Sequence, residues 1–399
     1  MTYQYSPARL LSASLLAAGL SSLSAPAMAL DADDFATKVA AISSQGGGKF
    51  SFSSVEPDGN TIVLKDITVE VPGQGPYEIG DITFTGVAET GDGGYSADSA
   101  SFDDFEHSDG PQRVAVADIE MQNLIIPPVK TAYDTDDNLD LYESISTGAV
   151  LVERDGAKVL SMSGLLLTID EAEDGSRVDM AMSGSDLEID PGQIDDPKVR
   201  ETMSELGYET LSGEFSVGGA WLKEAGEVNV EESLSLDEVG ELTLSVEISG
   251  YTLEFVEAMQ QAQTAAAANP DPQAAQQAMG IAMLGMLQQL SFNSASIRFE
   301  DASVTERALQ FAGKKQGVSG DDMRMAVKGM MPLMLGRIGI PELQMQISAA
   351  VGAFLDNPQN ITITAEPDAP VAAPVIMGAA MGDPKSLVDL LNVQITANE

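Results

Sequence analysis

The stretch 61-TIVLKDITVEV-71 contains the pattern that decides the fold. Apolar and polar side chains alternate from Ile62 to Leu64 and again from Ile67 to Val71, which is the period of a half-buried β-strand. Lys65-Asp66 interrupts the alternation and shifts its phase by one residue, as a β-bulge does. We therefore predict a strand over 61–71 that bends at Lys65-Asp66.

Similar runs recur from about Phe50 to Leu253, with short sequences rich in Gly, Pro and Asp between them. Two of them, VAVADIEMQNLII and LSMSGLLLTID, are also interrupted in the middle. The further runs that we predict to be strands are 79–87, 114–126, 158–169, 178–189, 214–223 and 240–253. Short turns leave no room for crossover helices, so these strands predict an antiparallel meander.

After residue 253 the apolar period changes to that of helices. The predicted helices are 251–268, 277–290, 303–311, 321–338 and 341–354, and the third would begin with a capping box at Ser303 and Glu306. Strands are predicted again at 295–299, 361–365 and 393–397. The prediction is a β-dominated α+β fold, in which a long curved antiparallel β-meander sheet carries amphipathic C-terminal helices packed on it.

The chain is expected to have three parts. Residues 1–29 combine Arg9, the apolar segment Leu10 to Leu23 and Ala27-Met28-Ala29, which is typical of a cleavable signal peptide. Cleavage near Ala29-Leu30 would release a periplasmic protein that has no transmembrane anchor. Residues 30–253 would form the β-meander, and residues 254–399 an α+β region that continues the sheet with methionine-rich helices.

Charge and cysteine content restrict the function. The formal net charge is −42, which argues against a nucleic-acid partner because phosphates would be repelled. The chain has no cysteine, so disulfides and thiolate ligands are excluded. The hydrophobic fraction of 44% is that of a folded globular protein and supplies residues for a core.

Catalytic motifs are scarce. The one histidine is His107, and no serine stands in a G-x-S-x-G motif to accompany it. One histidine without cysteine is also a poor zinc site. The one tryptophan, Trp221, lies inside an alternating run and is interpreted as a sheet-packing residue. We therefore predict a non-enzymatic protein without a cofactor.

Calcium is the metal that the composition favours most, because oxygen ligands are abundant. The candidate ligands are Asp134, Asp136, Asn138 and Asp140, which follow the acidic spacing at the start of an EF-hand loop. Leu139 stands where the loop needs glycine, and Ile145 where it needs glutamate, so we favour a solvated acidic turn. Asp31 to Asp34 and Asp195-Asp196 are likewise interpreted as solvated ends or turns.

Two stripes of methionine occur at helical spacing and are the positive candidates for a binding site. One consists of Met279, Met283, Met286 and Leu287, and the other of Met323, Val327, Met330, Met331 and Met334. One interpretation is that they pack on the sheet. The other is that their adaptable side chains line an apolar groove for an acyl chain or another amphipathic ligand.

The segments LSFNSASIRFEDASVTERALQF, PELQMQISAAVGAFLDNPQNITITAEPDAPV and DPKSLVDLLNVQITANE resemble exported proteins of alphaproteobacteria. They are similar in character to AsmA-like and YdgA-like envelope proteins, most clearly over residues 290–398. The resemblance implies a long sheet followed by helices and, for AsmA-like members, a role in envelope lipid transport or homeostasis. The cleavable signal departs from the retained membrane anchor of AsmA-like proteins, which puts a bridging role in doubt.

The leading hypothesis is a periplasmic protein that binds a lipid-like amphipathic ligand or an envelope protein partner. The alternative is an exported structural or adhesion-type module that contacts other proteins through its sheet edges, with calcium as a possible aid.

Overall fold

The computed structural model describes residues 30–43, 49–71, 75–128, 141–267, 269, 271–336 and 339–399. The predicted signal peptide and the calcium candidates Asp134, Asp136, Asn138 and Asp140 lie outside these residues. Strands make up 42% of the structure and helices 33%, and the strands form one large open antiparallel sheet. The predicted β-dominated α+β class is confirmed.

The strands are β1 (Lys49–Ser51), β2 (Ser54–Asp58), β3 (Thr61–Glu70), β4 (Pro76–Thr85), β5 (Ala88–Glu89), β6 (Tyr95–Phe102), β7 (Phe105–Asp109), β8 (Gln112–Val116), β9 (Glu120–Ile126), β10 (Ser144–Ser146), β11 (Val150–Arg154), β12 (Ala157–Met162), β13 (Gly164–Glu171), β14 (Arg177–Ile189), β15 (Leu211–Leu222), β16 (Glu227–Leu236), β17 (Gly240–Ser249), β18 (Ser291–Asp301), β19 (Asn360–Ala365), β20 (Val371–Ala372) and β21 (Val393–Ala397). Most neighbours in the sheet are joined by hairpins, as a meander requires.

The α-helices are α1 (Ala32–Ser43), α2 (Pro197–Leu206), α3 (Leu253–Ala267), α4 (Pro272–Leu287), α5 (Val304–Gln316), α6 (Gly320–Leu335), α7 (Pro341–Asp356), α8 (Ala373–Gly382) and α9 (Ser386–Leu390). Helices α3 and α4 connect β17 to β18 at one end of these strands. Helices α5, α6 and α7 connect β18 to β19 at the opposite end. The C-terminal helices therefore form two groups, one at each end of β18.

Several predicted strands are interrupted where the sequence patterns are interrupted. The register of β3 shifts between Leu64 and Ile67, which confirms the predicted bulge. The run 114–126 is two strands, β8 and β9, and the run 158–169 is likewise divided between β12 and β13, so the prediction of single strands was wrong there.

Aspartates with left-handed backbone conformation stand at or near such interruptions. Asp66, Asp118 and Asp186 have φ of 49°, 50° and 50°, in the left-handed region that aspartate tolerates better than most residues. The Asp66 amide donates to Oδ1 of Asp81 at 3.0 Å, and the Asp81 amide donates to Oδ2 of Asp103 at 2.8 Å. Side-chain acceptors of this kind replace ladder hydrogen bonds at such an interruption, which explains the acidic residues around Asp66.

The main core lies under α1, which covers one face of β3, β4, β6 and β9. Phe35 is fully buried, and its ring meets the rings of Phe84 and Tyr95 edge-on at centroid distances of 5.0 and 5.4 Å. Asp31 Oδ1 accepts from the Asp34 amide at 3.0 Å and so caps the helix. Asp31 and Asp33 are exposed, in line with the predicted solvated terminus, and Asp31 has this capping role in addition.

Asp195 and Asp196 are exposed in the bend before α2, in line with the predicted solvated turn, where Asp196 caps α2 by accepting from the Lys198 amide and Asp195 pairs with Arg154. One other local prediction needs correction. Ser303 makes no side-chain cap hydrogen bond, because its hydroxyl donates to the carbonyl of Glu238. The capping box instead begins α6, where Ser319 and Asp322 bond to each other's backbone amides.

The stability of the α1 region is expected to depend on pH through Asp34. Its carboxylate accepts from Lys38 and from the Tyr95 hydroxyl, and these hydrogen bonds hold the pKa of Asp34 below its usual value. A carboxyl whose pKa is lower in the folded state than in the unfolded state stabilises the fold at pH values above its unfolded pKa of about 4. This contribution is lost as the pH falls from there through the folded-state pKa. Asp34→Asn should therefore flatten the dependence of the unfolding free energy on pH between 3 and 5.

Urea unfolding at a series of pH values measures this effect. Asp33→Asn is the matched control, because Asp33 is exposed on the same helix. Equal pH dependence in Asp34→Asn and wild type would contradict the assignment.

Candidate functional site

A continuous row of mostly apolar side chains crosses the sheet at right angles to its strands. Cross-strand partners lie on the same face of a sheet, so the register alone defines the row. From β3 to β21 its members are Ile62, Phe84, Ala100, Met121, Ile145, Leu167, Met182, Val217, Glu232, Leu244, Ile297, Ile363 and Ile395. We call the side of the sheet that carries this row the apolar face.

The opposite face is polar. The row next to it, read from β4 to β21, consists of Thr85, Ser99, Gln122, Ser144, Thr168, Ala181, Gly218, Glu231, Ser245, Ser296, Thr364 and Gln394. An antiparallel sheet with one apolar and one polar face normally buries the apolar one. What covers the apolar face therefore decides what the sheet can bind.

Among the described residues, helices cover the apolar face at both of its ends. At the β3 end, α1 buries Ile62 completely and Phe84 almost completely. At the β21 end, α7 packs on β19 and β21, and the Phe354 ring meets that of Phe299 at 6.4 Å. Between these helices, large apolar side chains of β14 to β19 remain 36 to 47% exposed. We call this group the uncovered floor, and its members are Met180, Met182, Leu234, Leu242, Val246, Ile297 and Ile363.

The uncovered floor is large enough for an extended alkyl chain. Strands β14 to β19 lie side by side, and at about 4.8 Å between neighbours they span about 24 Å. Monomeric proteins rarely expose an apolar patch of this extent unless it serves as a binding surface.

Trp221 lies at one margin of the uncovered floor. Its side chain is buried, which supports its predicted packing role, and its indole N–H donates to the carbonyl of Tyr251 at 2.6 Å. The Tyr251 ring continues to Phe255 at the start of α3, at a centroid distance of 5.1 Å. Lys223 lies 5.8 Å from the centre of the Trp221 ring and pairs with Glu171, and both charged groups are largely shielded from solvent.

The methionine stripes lie elsewhere. In α6, Met323 and Met331 are buried with Leu309 and Leu355 in a core between helices, with Val327 packed against it. Met330 and Met334 are exposed. In α4, Met286 is buried, Met279 and Leu287 are half-buried, and Met283 is exposed. The buried methionines thus have a packing role, and strand residues form the uncovered floor.

The helices at the strand ends also expose apolar side chains. Ile281, Met283 and Leu284 of α4 are more than half exposed, as are Met325, Met330, Leu333 and Met334 of α6, Met345 of α7, and Val375 and Met381 of α8. These groups lie at both ends of β18, so apolar surface adjoins the sheet on either side.

Three other places among the described residues were candidates for chemistry: a metal site, His107 and a basic cleft. Within the residues that the structure describes, no group of three or more acidic or histidine side chains is placed to hold a metal ion. His107 lies against the rings of Tyr77 and Phe105, at centroid distances of 4.9 and 6.4 Å. A basic cleft between α2 and α5 contains Arg307 and Lys315, but these pair with Glu238 and Glu205.

In the described part of the chain, no helix is both long enough and apolar enough to cross a membrane.

Comparison with known proteins adds one finding. A family model described as "Uncharacterized protein" matches residues 233–398, which begin inside β16 and extend through β21. No curated protein matches the chain. The matched region contains β17, β18 and β19, which contribute Leu242, Val246, Ile297 and Ile363 to the uncovered floor.

Fold and site together define an α+β protein with one large open antiparallel sheet, whose apolar face is covered at both ends and carries the exposed side chains of the uncovered floor between them.

Proposed function

We propose that this protein is a non-enzymatic binding protein, and that its uncovered floor holds the alkyl chain of a lipid-like amphiphile. The observation that carries the proposal is the uncovered floor, whose seven large apolar side chains stay 36 to 47% exposed on the apolar face. Burying such a surface yields about 25 cal/mol for each Å² removed from water.

The two covered ends of the apolar face support this function. Phe35 and Phe354 pack their rings on this face from the helices that cover it, against Phe84 and Phe299. A ligand lying between α1 and α7 would continue the layer that these helices begin. The polar opposite face keeps the loaded protein in solution.

We also propose that the protein acts outside the cytoplasm, following cleavage near Ala29-Leu30. An intact mass of the protein recovered from the periplasm that begins at Leu30 would support export, and a mass that includes residues 1–29 would contradict it.

Binding of a neutral apolar dye, N-phenyl-1-naphthylamine, tests the proposed function. We expect saturable fluorescence enhancement with the purified protein, displacement by decyl maltoside below its critical micelle concentration, and amphiphiles in an organic extract of the protein. Absence of saturable binding together with an extract free of amphiphiles would contradict the proposal.

A further inference from the structure

Glu232 is the exception in the row of apolar side chains. Its direct neighbours across the strands are Val217 and Leu244, and Val230 and Leu234 flank it on its own strand. The carboxylate is exposed, and in the described part of the chain its side chain takes part in no hydrogen bond or ion pair. An acid surrounded by four apolar side chains leaves a charge within the surface that a ligand would cover.

Covering Glu232 with an alkyl chain alone would be unfavourable. The carboxylate would lose hydration without gaining a partner. The free energy lost in this way is larger than the free energy gained from apolar contacts around it. A ligand that brings a cationic group to this position gains a charge-assisted hydrogen bond instead.

We infer that the amphiphile bound on the uncovered floor carries a cationic, amine-type head group, and that Glu232 is the residue that selects it. The inference rests on the proposed function. With the head group at β16, the chain would extend over β17, β18 and β19, along Leu244, Ile297 and Ile363. The formal net charge of −42 favours the same ligand and repels anionic amphiphiles.

A second copy of the chain fits the face less well. Two copies would each carry a formal net charge of −42, and pairing their apolar faces would bring that charge together and cover both Glu232 carboxylates. The charge pattern therefore favours a cationic amphiphile over self-association.

The test compares three ligands that have the same alkyl chain: decylammonium, decanoate and decyl maltoside. Each ligand is titrated against N-phenyl-1-naphthylamine bound to the purified protein at about 0.15 M salt, where screening limits long-range attraction to about 8 Å. We expect wild type to bind decylammonium about tenfold more tightly than decanoate, and Glu232→Gln to weaken decylammonium about fivefold while decyl maltoside is unchanged.

Glu231→Gln is the matched control, because Glu231 is the exposed neighbour on the polar face, between Gly218 and Ser245. It removes the same charge, so a general electrostatic effect would weaken decylammonium equally in both variants. Equal weakening, or no effect of Glu232→Gln, overturns the inference while leaving the proposed function in place. Failure of all three ligands to displace the dye overturns both.

Two further outcomes would identify a different occupant. A wild-type dimer in light scattering that Ile363→Asp converts to a monomer would make the face an interface between copies. Tighter binding of a basic amphipathic peptide than of decylammonium, weakened by Glu232→Gln, would make the occupant a protein segment. Either result overturns the lipid-like assignment.

Discussion

Replacing Ile363 by aspartate is expected to weaken N-phenyl-1-naphthylamine binding at least about tenfold, because a carboxylate in the floor must lose water when an apolar ligand covers it. Ile363 is 41% exposed and lies between Ile297 and Ile395 on the apolar face. The side chain is only partly buried in the free protein, so the substitution should reduce binding much more than folding.

Thr364→Asp provides the control for this prediction. Thr364 is the next residue of β19 and lies on the polar face, between Ser296 and Gln394. The new aspartate has the same charge and the same poor strand propensity at both positions. Dye titration should show binding within about twofold of wild type for Thr364→Asp. Equal loss in the two variants would mean that the apolar face is not the binding surface.

Replacing Phe35 by alanine is expected to lower the free energy of unfolding by about 3–5 kcal/mol, the usual cost of removing a buried phenylalanine ring. Phe35 has no exposed surface and fills the space between α1 and the sheet, against Phe84 and Tyr95. The cost includes the cavity that the ring leaves behind, because β3, β4 and β6 hold the surrounding side chains in place.

Urea unfolding followed by circular dichroism measures this loss. Thr37→Ala is the control on the same helix, because Thr37 is exposed and should change stability by no more than about 0.5 kcal/mol. A change below about 1 kcal/mol for Phe35→Ala would show that α1 contributes little to the core.

The fold class was predictable because strand and helix periods are local properties of the chain. The alternation in residues 61–71 predicted β3 and its bulge, and the predicted strand 393–397 coincides with β21. Strand β16 was missed because Glu232 interrupts its alternation of Val228, Val230, Leu234 and Leu236. The residue that hides the strand is thus the residue assigned to ligand selection.

Helix α1 was missed for a different reason. Its acidic beginning was interpreted as solvation, although Phe35 and Val39 have the spacing of a buried helix face. The apolar spacing was the useful signal, and the acids are explained by capping and by the bond from Tyr95 to Asp34.

The uncovered floor was not predictable from local patterns. Each strand shows its own alternation, but the row across the sheet depends on the register of strands far apart in the chain. Which part of the apolar face stays uncovered depends on where α1 and α7 pack, and this is also a long-range property. The methionine stripes drew attention by composition, whereas Met323 and Met331 pack between helices.

Photolabelling with a diazirine-bearing decylamine, followed by mass spectrometry, tests most directly whether the apolar face is the binding surface. Labels should fall on Leu244, Ile297 and Ile363 of β17, β18 and β19, and excess decylammonium should remove them. Labels confined to exposed side chains of the helices, such as Ile281 or Leu333, or placed on the polar face at Ser296 or Thr364, would contradict the assignment.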